Sequence, residues 1–482
     1  DLGGGSLYSL AGAQYDLYDA DGKSVGTLTT KADGTSNVLT VFCGTYTMKE
    51  TKASPGFDLD PETYSVTVGT DGAAVTVESV EPVQKARIVL RKHSSEEKEG
   101  KAADTAPIRG AVYGIYGSKE DAQESRASVG TFVVQEDGSS NEVKVLAGKT
   151  WYIKETKTPE GYLPDETIHE VAPDSLSDVF EVESEDRLIF GGVKIRKLDL
   201  ETGGSIPLGG ASLEGAVFRI FNDGDNSIYA EGRKVLPGAE ALTLTTDAEG
   251  IAQTLEKALS YGTYRVEEIT PPEGYTKKGA KTIRFSIKEN GVLVDLTGSK
   301  ETSVQNQVAR GDFSIRKING YTQKRMAGVT FEVTALDPEG NVLETQRFTT
   351  DENGVFESTA SFASGKAAKI DSEKDTGDGA EDSGEEASEA ASEDAFGGRL
   401  WFGIGTQPSD ALGALPFGDY HIEEIEGENN RGMKMFSDVF SIYFDGQILT
   451  LGNIENTLNP VLETELLDEN GGPFADQKGI VT

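Results

Sequence analysis

The sequence holds a single cysteine, Cys43, in 482 residues. One thiol excludes an internal disulfide framework and any multi-cysteine metal site. Cys43 lies in "TVFCGTY", just ahead of a core-type strand, and is expected as a buried, inert thiol. Histidine is almost as scarce: His93, His169 and His421 stand far apart, with no pair at metal-ligand spacing. No Gly-rich phosphate loop precedes a helix, and no nucleophile elbow occurs. Turnover of an external substrate therefore finds no support, and no metal or cofactor is expected. No run of about 18 apolar residues exists to span a membrane. The opening "DLGGGSLYSL" has neither the charge nor the apolar core of a signal peptide, and reads as a mature or excised piece. Basic residues are in deficit, 45 against 82 acidic, for a formal charge of −37. That balance repels nucleic acid and anionic membranes and favours a well-hydrated surface.

What is present is repetition. Apolar residues make up 36% of the chain, with 57 Gly and only 16 Pro, which suits turn-rich domains with modest cores. Length suggests three or four of them. An early strand recurs as "LAGAQYDLY" (10–18), "IRGAVYGIY" (108–116), "LEGAVFRIF" (213–221) and "MAGVTFEVT" (326–334). The Gly-to-Gly steps between these copies are 98, 105 and 113 residues, an ordinary domain size. A hairpin turn recurs as "TTKADG", "TTDAEG" and "TTDENG", with "VVQEDG" as a weaker copy. Short alternating strands divided by such turns predict an all-β fold, a tandem array of antiparallel, Ig-like β-sandwiches. Helical periodicity is convincing nowhere. The fourth repeat is lengthened by an insertion at about 364–398; from Asp371 to Asp394 it carries eleven acidic residues and one lysine. Solvated disorder is expected there, since the acids lack a calcium-loop spacing.

Two anomalies carry the chemistry. Four strands end a row of core residues on a carboxylate: Tyr46, Met48, Glu50; Trp151, Ile153, Glu155; Tyr264, Val266, Glu268; Tyr420, Ile422, Glu424. Three others, "IVLRK", "VKIRK" and "FSIRK", put Lys92, Lys197 and Lys317 on the face of their apolar residues. Unpaired charges in a core are severely destabilising, so these groups must meet a partner or become neutral. Eleven residues before Lys197 lies Asp186, eleven before Lys317 lies Asn306, and the fourth repeat offers Asn456. Lysine, carboxyl or carboxamide, and buried glutamate form a self-crosslinking set. Desolvation lowers the lysine pKa and frees a nucleophilic amine, while raising that of the glutamate, which can polarise the carbonyl and shuttle protons. A buried Lys–Glu salt bridge is the simpler alternative. Recurrence in three repeats favours the crosslink.

The order "IRK…GAxF…TTDxxG…GTYRVEE…PPEGY…N" resembles the collagen-adhesin B-type repeats of Gram-positive surface adhesins and sortase-assembled pilins. "KETKTPEGY" and "EEITPPEGY" look especially like that family's Glu strand and following turn. The resemblance covers nearly all of residues 1–460. It implies sandwiches with an intramolecular isopeptide bond between first and last strands, promoted by the glutamate. Carried over by position, the sets are Lys92–Asp186 with Glu155, Lys197–Asn306 with Glu268, and Lys317–Asn456 with Glu424. The fourth repeat departs after its glutamate, where "IEGENNRGM" lacks the Pro-x-Gly-Tyr ending. The first departs further: Glu50 is present, but no lysine stands at the matching position, and Glu81 stands where Asp or Asn is expected.

The expected units are 1–84, 85–190, 191–310 and 311–460, with 461–482 opening a further module. By this resemblance the chain is a non-enzymatic stalk of an extracellular, cell-wall-anchored surface protein, its partners the adjacent domains of a longer chain. A pilin subunit is the alternative. So is an adhesive domain for a host matrix protein or glycan, with "RLWFGIGTQPSDALGALPFG" the place for such a ligand. "RGD" at 310–312 leads straight into a strand and is not read as an integrin loop.

Overall fold

The computed structural model describes residues 8–96, 105–173, 179–358, 400–409 and 411–458, and the backbone of a hairpin formed by Leu462–Leu467 and Pro473–Val481. The acidic insertion lies outside the described residues.

Alternation of apolar and polar side chains builds one sheet four times. Its order places the early strand beside a hairpin partner on one edge and the Glu-ending strand on the other, followed by a fourth strand. In the third repeat these are Glu240–Thr245, Val217–Asn222, Gly262–Thr270 and Ile283–Ile287, all antiparallel. The first, second and fourth repeats give the same order around Gly44–Lys52, Trp151–Lys157 and Gly418–Glu424. The hairpins turn through glycines with positive φ. In the turn after the Glu strand, Gly274 (φ +81) packs so tightly that a Cβ would lie 2.5 Å from that of Ala211.

The opposing layer holds the lysine strands Lys85–Ser94, Phe190–Asp199 and Arg310–Asn319. Each pairs in parallel with the last strand of its own repeat: Lys92 opposite Ser184, Lys197 opposite Val304, and Lys317 opposite Ile454. Parallel pairing departs from the wholly antiparallel expectation. It arises because the chain crosses between layers before returning beside its first strand, a long-range step that local pattern does not encode. Among the described residues the fold is all-β apart from one five-residue helix, Lys119–Gln123, capped by Ser118. Among the described residues the first repeat has the Glu-bearing sheet alone.

One expectation is corrected. Cys43 is exposed, not buried: it lies just before strand Gly44–Lys52, whose first buried position is Tyr46. In the segment offered for a ligand, Leu400, Phe402, Ala414 and Leu415 join the apolar cluster around Phe313 and Tyr420, while Ile404 is exposed. The connector carrying "RGD" is strand throughout. Arg310 is buried and forms a two-pronged ion pair with Glu201, Nε to Oε1 and Nη2 to Oε2, both 2.7 Å. Its guanidinium lies 3.9 Å from the Trp401 ring centre. Asp312 accepts from Ser358 Oγ at 3.0 Å and Ala414 N at 3.1 Å. Neither charge is presented for an integrin.

Candidate functional sites: buried lysine clusters

Period-two alternation carries each glutamate and each lysine into its core, and the two layers close over them. Lys92, Glu155, Asp186, Lys197, Glu268, Asn306, Lys317, Glu424 and Asn456 are all at most 8% exposed. Parallel pairing sets the third partner. In every site the Asp or Asn lies two residues beyond the residue opposite the lysine, on the same face.

In the second repeat Lys92 Nζ lies 3.1 Å from Glu155 Oε1 and 2.7 Å from Asp186 Oδ1. The latter approach is close but lies off hydrogen-bond directions, so neither Asp186 oxygen is satisfied. Burial pushes the Asp186 carboxyl up to about 6. Glu155 Oε2 accepts from Thr158 Oγ and Asp165 N, both 2.9 Å.

In the third repeat Asn306 Nδ2 donates to Glu268 Oε2 at 2.8 Å, and Lys197 Nζ stands 3.9 Å from Glu268 Oε1. Lys197 donates only to the Leu198 and Val304 carbonyls, each 3.3 Å away. Burial pushes Lys197 down to about 8 and raises Glu268. Both shifts disfavour the charged forms. Glu268 Oε1 and Asn306 Oδ1 both lack donors, and a proton carried by Glu268 is what this pair of acceptors needs.

The fourth repeat closes a ring. Lys317 Nζ donates to Asn456 Oδ1 and, at 3.1 Å, to Glu424 Oε2, while Asn456 Nδ2 donates to Glu424 Oε1 at 2.6 Å. Asn430 Nδ2 adds a 2.9 Å bond to Glu424 Oε1, a partner the sequence did not indicate. Burial lowers the Lys317 pKa. The missing Pro-x-Gly-Tyr ending is replaced in kind: Met433 bridges to Leu458 as Tyr162 does to Leu188 and Tyr275 to Val308.

Among the described residues Glu50 of the first repeat meets no lysine. Glu50 is buried, accepts from Asp60 N and leaves Oε1 unpaired. Burial above all, with the Glu81 and Asp60 carboxylates adding, pushes it up to about 7. Because its folded pKa exceeds its unfolded value, its contribution is complete below about 4.5 and is lost as pH rises through 7. Glu50→Gln is therefore expected to stabilise the first repeat by roughly 1–3 kcal/mol at pH 8 and by little at pH 4. Denaturant melts at the two pH values check this; equal gains at both would remove the cause assigned.

Sequence reasoning missed the polar shell: Tyr113, Ser184 and Asp165 around Lys92, and Asp199 with Tyr275, whose hydroxyl donates to Asp199 Oδ2 at 2.9 Å. The signal for Tyr113 was visible, since Phe218 and Phe331 stand at its position in the later repeats. Among the described residues no cluster of His, Cys, Asp or Glu could hold a metal ion. No helix among them is long and apolar enough to cross a membrane.

Comparison with known proteins gives a family. Residues 6–82, 96–187 and 191–302 match the SpaA prealbumin-like fold domain. None of the curated proteins matches the chain. Among solved structures, the Bacillus anthracis TIE protein is 17% identical, with 93% of this chain and 69% of that one covered and a TM-score of 0.47. BcpA, the major pilin subunit of Bacillus cereus, is 14% identical over 78% of this chain and 100% of its own, with a TM-score of 0.29. The shaft pilin spaA of Lactobacillus rhamnosus GG is 16% identical over 47% and 98%, with a TM-score of 0.19. The fourth repeat falls outside the matched residues yet repeats the sheet order and the lysine cluster. With more than half of its residues matched, the chain belongs to the SpaA family of prealbumin-like fold domains.

Proposed function

We propose that this chain is a load-bearing stalk of a Gram-positive surface adhesin, its second to fourth repeats each stiffened by a self-formed isopeptide bond. The units are residues 85–190, 191–310 and 311–460, preceded by an uncrosslinked unit at 1–84. One observation carries the reading: three times a fully buried lysine meets a buried glutamate, with an Asp or Asn on the neighbouring parallel strand. The neutral amine attacks the side-chain carbonyl carbon. Glutamate, as the neutral acid, donates to the developing oxyanion and returns the proton to the leaving group. Asp186 loses water, and Asn306 and Asn456 lose ammonia. Each site reacts once, which is maturation and not turnover.

Family membership supports a second reading, a pilin subunit joined end to end with its own kind at the cell surface. The adhesive reading is weakened by the burial of Trp401 and Phe402 in the segment where a ligand was expected. Intact mass tests the crosslinks. The folded protein is expected to weigh about 52 Da less than its sequence, from two ammonia losses and one water loss. An unshifted mass would leave the buried ion pair as the correct reading.

A further inference from the structure

We infer that the first repeat holds an open slot, one strand wide, that receives a lysine-bearing β-strand from another polypeptide. The second repeat shows what fills such a slot. Its opposing layer runs Val179–Asp186, Lys85–Ser94, Val143–Leu146, with the lysine strand in the middle, parallel to the former and antiparallel to the latter. In the first repeat both outer segments are present. Residues 38–42 correspond to 142–146, counted from the turn glycines Gly34 and Gly138, and residues 74–81 to 179–186, counted from Glu50 and Glu155. Among the described residues no strand pairs with either segment. Strand-like alternation persists all the same: Leu39, Val41 and Val77 pack on the core, while Val38, Phe42 and Val80 stand exposed. Two such edges, with backbone groups free on the sides that face each other, are a site for strand addition.

The polar end of the slot matches as closely. Around Lys92 stand Tyr113, Glu155, Asp165, Ser184 and Asp186; at the same spacings the first repeat has Tyr15, Glu50, Asp60, Ser79 and Glu81. Tyr15 Oη lies 2.9 Å from Ser79 Oγ, which donates to Asp60 Oδ2 at 2.6 Å, as Tyr113, Ser184 and Asp165 are linked in the second repeat. Only the lysine has no counterpart. Glu50 is 1% exposed and its Oε1 lacks any partner. Glu81 Oε1 accepts from Tyr15 Oη at 3.2 Å. Three carboxyl groups therefore gather where the second repeat holds an ammonium, and a buried, unanswered carboxyl is costly.

Charge and pattern together define the occupant. It is an extended segment with a lysine on its inward face and apolar residues two and four positions earlier, as Leu90 and Ile88 stand before Lys92. Its backbone runs parallel to residues 74–81 and antiparallel to 38–42, and its ammonium meets Glu50, Glu81 and the Tyr15 hydroxyl. Lys92, Lys197 and Lys317 are enclosed by their own repeats, which leaves the place to a lysine from a second polypeptide. Docking needs no covalent step, so the inference stands whether or not the later repeats crosslink.

The test adds a fluorescent synthetic peptide with the sequence of residues 85–94, "KARIVLRKHS", to the 482-residue chain and follows its anisotropy. Binding is expected, with new protection from amide hydrogen exchange at residues 38–42 and 74–81. The Lys92→Met form of the peptide should bind roughly 100-fold more weakly, and so should the original peptide to a Glu50→Gln chain. Combining the two changes should weaken binding no further than the worse of them, because both remove one ion pair. Equal binding of a scrambled peptide of the same composition would reduce the effect to attraction between a basic peptide and an acidic chain, and would overturn the slot. So would no binding, or protection that arises at residues 179–186 instead. Slow exchange at both segments before peptide is added would mean that the chain fills its own slot. A dimer that the peptide does not dissociate would give the slot to a second copy, and either result overturns the inference.

Discussion

Stretched from both ends, the protein is expected to lengthen in one long step, on the order of 250–300 Å, and then to resist further extension. The step belongs to the first repeat, which has no lysine to crosslink and unfolds between Asp1 and Gln84 at about 3.3–3.6 Å per residue. Beyond it, load would enter at Lys92, cross to Asp186, run eleven residues to Lys197, cross to Asn306, run eleven more to Lys317, and leave at Asn456. The chain between each pair is shielded from force because the bond joins the first strand of a repeat to its last. Strands pulled in this way cannot peel one from another. Lys197→Arg keeps the charge but cannot supply a neutral amine. It should add a second step of roughly 350 Å from the chain between the two partners. Single-molecule force spectroscopy reads these lengths directly, and four long steps in the unaltered protein would defeat the stalk mechanism while leaving the fold intact.

Glu268→Ala is expected to have the largest effect on thermal stability. The third repeat should fold without its crosslink and regain about 17 Da. Closing a loop of about 100 residues stabilises by roughly 5 kcal/mol when treated as a disulfide would be. Losing that much should lower the melting transition of a unit this size by about 20–40 °C. A further loss follows because Lys197 stays buried, with Asn306 Nδ2 deprived of its acceptor. Calorimetry of the full chain separates this from general damage, since only the third-repeat transition should move. Normal crosslinking in Glu268→Ala would show that the glutamate neither polarises the carbonyl nor moves the proton.

Alternation along a strand is a local property, and everything that depended on it was legible in the sequence. Lys92, Lys197, Lys317 and the glutamates Glu50, Glu155, Glu268 and Glu424 face their cores because residues two apart share a face. Turn glycines and the fourfold repeat follow from the same short-range rules. What lay beyond them depended on residues distant in sequence. Parallel pairing of first and last strands, and the two-residue offset that brings Asp186, Asn306 and Asn456 under the lysines, come from a layer crossing over about 100 residues. Cys43 lies just outside the strand whose alternation buries Tyr46, and Arg310 is buried where it meets Glu201, more than 100 residues away in sequence. The polar chain from Tyr113 through Ser184 to Asp165 joins two strands and a loop that only packing brings together. A side chain's own strand decides which way it points, and the rest of the chain decides what it meets.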